Sequence, residues 1–432
     1  MNRWARSALT LVLLGALTVV APACSAPVQV KEWLREGDFR ERIQTQEANG
    51  VRVSAAVPSS KETLDIFGND LYKKGIQPVW ISIENNRNEA ITFLPVGLDP
   101  HYYSPLEVAN LDIRESEKST VLVNTFFMDQ SINLMVEPGG SLSGFVFTGL
   151  DEGTKAFNVD IRGPGSFDTF VFFIPVPGLR VDHYDVDWKA LWPPEGKTEL
   201  SAEDLVETLE SAACCVTDKT GKNTGDPLNL VLIGEPLDLY TAFIRAGWDE
   251  TETVSSASAW KTAKSFFSGG EYRYSPVSSL YAFGRRQDVA FQWIRENIHE
   301  RNHLRLWMSN YTYEGLPVWI GQISRDIGVR FTRKTITTHK IDPNVDETRE
   351  YLLENLAYAQ ALNGFAYVGG VGAVSADKPR GNLTGDPWFT DGYRLVLWLS
   401  SDPVPLSDIR FIPWRMPHGG GGSVLAPGDT TP

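Results

Sequence analysis

From about residue 51 to residue 180 the side chains alternate with a period of two, and this alternation limits the possible folds more than any other feature of the chain. Val79, Ile81 and Ile83 are separated by Trp80 and Ser82, and Phe157, Val159 and Ile161 by Asn158 and Asp160. Successive side chains of a strand point to opposite faces, so such a segment turns one face inward. Turn chemistry interrupts the pattern. Asn85-Asn86-Arg87-Asn88, Glu137-Pro138-Gly139-Gly140 and Gly163-Pro164-Gly165 each precede a new apolar run. Short strands with turn signals every 8–15 residues or so predict an antiparallel β-sandwich of immunoglobulin-like architecture over 51–180.

The pattern changes over 228–412, where strand and helix signals alternate. Leu228 to Ile233 reads as a short strand, and Leu237, Tyr240, Ile244 and Trp248 have helical spacing. Ser258 to Phe267 is a second helical segment. Asp342-Pro343 opens a third, with Tyr351, Leu352, Leu356, Ala359 and Leu362 on its apolar side. Strands are expected at Leu280–Gly284, His303–Met308, Val318–Ile323 and Tyr393–Leu399. These elements predict an α+β domain with a mainly antiparallel sheet and about three helices on one face, and an α+β class for the whole chain. Residues 24–50 are polar and read as a tether. Residues 181–227 read as a linker with a short helix at Ser201-Ala202-Glu203-Asp204, and 413–432 as a low-complexity, disordered tail.

The first 23 residues read as an export signal. Arg3 and Arg6 precede an apolar run from Ala8 to Ala23, which is short for a bilayer span of roughly 20 residues. The run ends in Val20-Ala21-Pro22-Ala23-Cys24-Ser25. A cysteine after a small residue resembles the lipobox of bacterial lipoproteins, and Cys24 would then carry the lipid. Ala21-Pro22-Ala23 also reads as an ordinary cleavage site that leaves Cys24 a plain thiol. The lipobox reading predicts a membrane partner through the N-terminal lipid and a location on the periplasmic side of the envelope. By analogy with bacterial sorting, Ser25 points to the outer membrane.

Composition excludes several classes. The chain has 432 residues, 40 Lys and Arg against 54 Asp and Glu, and a net charge of −14. Its 42% hydrophobic content is that of a folded protein, and the acidic excess argues against a nucleic-acid partner. Three cysteines are too few for a disulfide scaffold. The adjacent Cys214 and Cys215, in an oxidising compartment, are candidates for a disulfide or for structural thiols.

A set of segments in one order resembles the LssY-like C-terminal domain family of bacterial envelope proteins. They include Gly225-Asp226-Pro227-Leu228-Asn229, Ala246-Gly247-Trp248, Gly284-Arg285-Arg286-Gln287-Asp288 and His303-Leu304-Arg305-Leu306-Trp307. Ile323-Ser324-Arg325-Asp326-Ile327-Gly328, Thr338-His339-Lys340-Ile341-Asp342-Pro343 with Asp346 and Arg349, and Asp391-Gly392-Tyr393 complete the set. The resemblance implies an envelope location and carries no activity.

Candidate chemistry concentrates between 285 and 349. Eleven basic and eight acidic residues make that segment +3 inside an acidic chain. Arg285, His303, Arg305 and Arg325 are candidates for holding a phosphate or carboxylate, because a guanidinium matches both geometries. His339, Asp342, Asp326 and Arg349 are the candidates for general acid–base catalysis, and His339, Asp342 and Asp346 for a divalent cation. The spacing matches no strong metal signature. Asp342 at a helix start, Asp346 paired with Arg349 and His339 in the core is the simpler structural reading. No G-x-S-x-G or H-E-x-x-H motif occurs, and no cofactor is expected. Gly-x-x-Thr-Gly-Asp-Pro occurs at 221–227 and again at 381–387, which reads as recurrent turn chemistry. The expected function is an envelope module that binds an envelope protein or an anionic small molecule; the alternative is a metal-dependent hydrolase of phosphorylated or lipidic envelope material.

Overall fold

Alternation builds two four-stranded antiparallel sheets. The strands are β1 (Gln44–Ala48), β2 (Val51–Ala56), β3 (Ile76–Asn85), β4 (Ile91–Leu94), β5 (Met135–Val136), β6 (Ser141–Gly149), β7 (Thr154–Gly163) and β8 (Ser166–Pro175). One sheet has the order β1-β2-β3-β6 and the other β5-β4-β7-β8. Val79, Ile81 and Ile83 of the first meet Phe157, Val159 and Ile161 of the second in a dry core. The computed structural model describes residues 38–111, 117–178, 186–251, 277–294, 301–330 and 338–417. The export signal, the helix expected at Ser258–Phe267 and the tail beyond 417 lie outside the described residues.

The sandwich departs from expectation on its outer side. Three helices, α1 (Ser60–Phe67), α2 (Pro105–Ala109) and α3 (Glu117–Gln130), cover the outer face of the first sheet. That face is aromatic: Trp80, Phe145 and Phe147 pack with Phe67, Val108 and Phe127 from the helices. Ser59 and Glu62 form a capping box at the start of α1, as do Ser104 and Glu107 at α2. The sheet also begins earlier than the predicted tether allows. Phe39 is buried against these helices and β1 pairs with β2 along its whole length.

The second domain starts before residue 228, which corrects the linker. The helices α4 (Trp188–Leu191) and α5 (Ala202–Ser211) and the strands β9 (Thr198–Leu200), β10 (Cys215–Thr217) and β11 (Thr224–Pro227) all precede β12 (Leu230–Ile233). Leu205 and Leu209 of α5 are buried with Val231 and Ile233, and β9 pairs in parallel with the long strand at Arg301–Tyr313. After β12 come α6 (Pro236–Arg245), β13 (Asp249–Glu250), β14 (Tyr281–Ala282), β15 (Arg285–Arg286), β16 (Val289–Ile294), β17 (Arg301–Tyr313), β18 (Leu316–Arg330) and β19 (Thr338–Ile341). Helix α7 (Val345–Tyr358), β20 (Leu362–Val368), β21 (Arg380–Gly381), β22 (Pro387–Trp388), β23 (Arg394–Leu399) and β24 (Arg410–Ile412) complete it.

The main sheet runs β13-β16-β17-β18-β12-β23-β20-β24, with β9 paired to β17 and β19 to β18, and is antiparallel except at β12–β23, β20–β24 and β9–β17. Helices α6 and α7 pack on one face, with Leu230, Leu304, Leu306 and Leu397 beneath them. Helix α5 packs on the other, so the helices are not confined to one face. The runs Leu230–Ile233 and Leu395–Leu399 are apolar without alternation because both of their faces are covered. Among the described residues no helix is long and apolar enough to cross a membrane. The whole is α+β, a β-sandwich followed by a helix-covered sheet.

Candidate functional site

Strand β17 alternates two chemistries. Leu304, Leu306 and Met308 face the core beneath α6 and α7, whereas Arg301, His303 and Arg305 face the opposite side. On β18, Ser324 lies directly across from His303 and Gln322 from Arg305, and on β16 Gln292 lies across from His303. Further along the same face the residues turn apolar, with Trp307, Ile320 and Val231 under α5. One end of a covered sheet face is therefore polar and buried.

A continuous hydrogen-bonded network fills that end. Arg301 donates through Nε to Asp326 Oδ2 (3.1 Å) and through Nη1 to Gln292 (2.7 Å). His303 Nε2 lies 3.0 Å from Asp326 Oδ1, and its Nδ1 lies 3.2 Å from Arg305 Nη1. A guanidinium can only donate, so Nδ1 is the acceptor and the imidazole proton sits on Nε2, facing Asp326. Arg305 also donates to Gln322 Oε1 (2.8 Å) and through Nε to the carbonyl of Ser278 (2.9 Å). Ser324 Oγ reaches His303 Nδ1 only at 3.5 Å and accepts from Gln322 at 2.9 Å. With Arg305 on the imidazole lone pair, this is not a nucleophile–base pair.

Burial governs the charges. It pushes the imidazole of His303 below its ordinary pKa, against the pull of Asp326. It also lowers Arg305 to about 10, the carboxylate of Asp226 opposing. Asp226, on β11, is in turn pushed up by burial despite Arg305 and a 3.2 Å hydrogen bond from Asn382. The carboxylate that most opposes the lowering of Arg305 is thus one that itself resists ionisation, with Asp326 adding to it. Among the described residues no acceptor meets Nη2 of Arg301 or Arg305, and each side chain keeps a small residual exposure.

The structure unites three of the predicted residues, His303, Arg305 and Asp326, and separates the rest. Arg285 is engaged bidentately by Asp288 (2.9 and 2.7 Å) and donates to the carbonyl of Met308. Arg325 points to the helix side, toward Asn302, Glu347 and the ring of Tyr351. Asp342 accepts from the backbone N–H of Asn344 at 3.0 Å, a turn that leads into α7. Asp346 accepts from the hydroxyl of Thr390 and the N–H of Asp391, and lies 3.3 Å from Arg349. Arg349 is buried, and burial works against its charge. Asp391, Asp346 and Glu350 outweigh that and hold its pKa above the ordinary value. His339 pairs through its backbone with Val329, and its side chain lies outside the described residues. Among the described residues no three His, Cys, Asp or Glu side chains form a cation site.

Sequence reasoning did not single out Asp226, Gln292, Arg301, Gln322, Ser324 or Asn382 as members of one site. The repeated Gly-x-x-Thr-Gly-Asp-Pro, read as turn chemistry, contains two of them, Asp226 and Asn382. Its copies are not symmetric, since Thr224 begins β11 whereas Thr384 lies in a turn closed on Asn382. They nevertheless touch: Asn382 donates to Asp226, and a Cβ at Gly225 would come within 2.9 Å of Leu383. The adjacent Cys214 and Cys215 are joined as a disulfide, packed with Trp388 and Val345. Cys215 pairs with Pro227, the neighbour of Asp226.

Residues 206–393, somewhat less than half of the chain, match the model of the family described as LssY C-terminus. No curated protein matches the chain. The match runs from within α5 to the residue before β23 and includes every member of the buried network. The unit that carries the Arg301–His303–Arg305–Asp326 network is an LssY-like C-terminal domain.

Proposed function

We propose that the chain is an exported cell-envelope protein, lipid-anchored through Cys24 on the periplasmic side of the outer membrane, whose LssY-like domain binds an anionic group at Arg305. The anion is either a small molecule or a group displayed by an envelope partner. One observation carries the binding reading: Arg305 is a buried cation lowered to about 10, with an unshared Nη2 and a reluctant counter-ion in Asp226. An arriving phosphate or carboxylate supplies the charge that the fold leaves short, and two guanidinium nitrogens suit its geometry. The export and anchor readings draw their support from Arg3, Arg6, the apolar run and Cys24.

The hydrolase reading gains no support from the placement of its residues. Arg325 faces α7, so the adjacent Asp326 points to the other face of the sheet, away from Arg349. Thermal melting in phosphate, pyrophosphate or citrate, against chloride at equal ionic strength, tests the binding reading. The expected outcome is a rise in melting temperature with an anion that the folded Arg305→Gln variant does not show. Equal responses of both proteins would remove the assignment. Metabolic labelling with a fatty-acid analogue, comparing wild type with Cys24→Ala, tests the anchor.

A further inference from the structure

Helix α3 has an unusual composition for a surface helix. From Ser119 to Met128 it contains no charged residue. Its inward side is accounted for by Phe127, which stacks on Phe67 at 5.4 Å within the aromatic cluster on the outer sheet face. Its outward side should then be charged, as on an ordinary amphipathic helix. Instead Leu122 is 64% exposed, Val121 57% and Met128 52%, with Phe126 beside them. Leu106 of α2, whose Asn110 is hydrogen-bonded to Asn124 of α3, adds a further exposed apolar side chain. Scattered apolar residues are normal on a surface, but ten successive residues without a charge that present four of them on one side, bounded by the exposed Asp129, mark an interaction face.

We infer that the outward face of α3 rests on a lipid surface, in the membrane that holds the protein. The position of the chain's entry into the fold selects this occupant. The first described residue, Asp38, follows Cys24 by fourteen residues and leads into Phe39. Phe39 is buried in the same cluster that seats α3: its ring lies 5.9 Å from Phe145, which lies 5.2 Å from Phe67, the partner of Phe127. The tether therefore enters the fold at the end of the molecule that displays the apolar stretch of α3. Extended, fourteen residues reach at most roughly 50 Å, so an acylated Cys24 keeps this end near the bilayer and raises the local concentration of lipid at the helix. One acyl anchor alone is marginal, and a second apolar contact makes attachment stable. Leu122, Val121, Phe126 and Met128 supply such a contact, with the exposed Asp129 at the end of the helix, where its carboxylate can stay in the headgroup layer. The inference rests on the proposed anchor for its geometry, while the helix face has its own readout.

The test places a benzophenone amino acid at position 122, in place of Leu122, in the full processed chain. A control carries it at position 203, in place of the Glu203 of α5. Both proteins are reconstituted with phosphatidylethanolamine–phosphatidylglycerol vesicles and irradiated, and the adducts are weighed. The inference predicts phospholipid adducts at 122 at least about tenfold above those at 203. Adducts at the mass of a second copy, or lipid labelling no greater than the control, would overturn it. The mass of the N-terminal fragment reports acylation separately: an unacylated Cys24 with lipid labelling retained at 122 ends the anchor reading and keeps this one.

Discussion

Glu250 offers a test of how the two domains meet. It lies on β13, paired with Phe291 at the edge of the main sheet, and its buried carboxyl interacts with Thr154 of the sandwich strand β7. Burial lifts its carboxyl from the ordinary 4.5 to about 8, with Thr154 opposing and Asp249 adding to the rise. The folded state therefore holds a proton that the unfolded chain releases near pH 4.5. A raised folded pKa gives stability that is complete below the unfolded pKa and lost as pH climbs through the folded one. One pKa unit corresponds to roughly 1.4 kcal/mol, so the neutral carboxyl costs the fold about 3 kcal/mol by pH 7 relative to acid. Glu250→Gln keeps the shape and removes the titration. Denaturant unfolding of both proteins between about pH 5 and 8 should show the variant gaining on wild type by roughly 1.4 kcal/mol per unit. Parallel profiles would refute the argument and place Glu250 in water.

Other perturbations probe the second domain. Arg394 is fully buried and donates to the carbonyls of Leu209, Ala212, Ala213 and Gly370, holding the C-terminal end of α5 with no carboxylate partner among the described residues. Arg394→Met leaves those carbonyls unmet and should cost about 3–5 kcal/mol in unfolding free energy, read by urea titration. Gly370 has φ +108°, and a Cβ there would meet the carbonyl oxygen of Leu209 at 2.6 Å. Gly370→Ala should therefore destabilise by about 2 kcal/mol or more, and a melting temperature equal to wild type would contradict the contact. Asp226→Asn removes the carboxylate that most favours the charge of Arg305, and should tighten anion binding by roughly three- to tenfold in calorimetry. Weaker binding would mean that Asp226 orients Arg305 rather than competing for it.

Much of the architecture could be read from residue order because local patterns carried it. Phe157, Val159 and Ile161 alternate in the sequence and occupy the sandwich core, and Asp342-Pro343 stands just ahead of α7. The helices on the sandwich were harder to read. Val121, Leu122 and Val123 are β-branched or apolar in succession, and nothing in their spacing shows an inward and an outward side. The linker was misassigned because β9, β10 and β11 have only three or four residues each and gain their stability from distant partners. The site was half legible for the same reason. His303 and Arg305 stand two residues apart on one strand and announce themselves by charge. Asp226 enters only through the fold, where Asn382, 156 positions later in the chain, holds it beside them.

The most direct measurement of the central claim is a crystal of the protein soaked with selenate, located by anomalous scattering. The account predicts an ion within hydrogen-bond distance of Arg305 Nη2, absent from crystals of the Arg305→Gln variant. Selenate found only on surface lysines, with Arg305 bonded to its own protein neighbours alone, would contradict it.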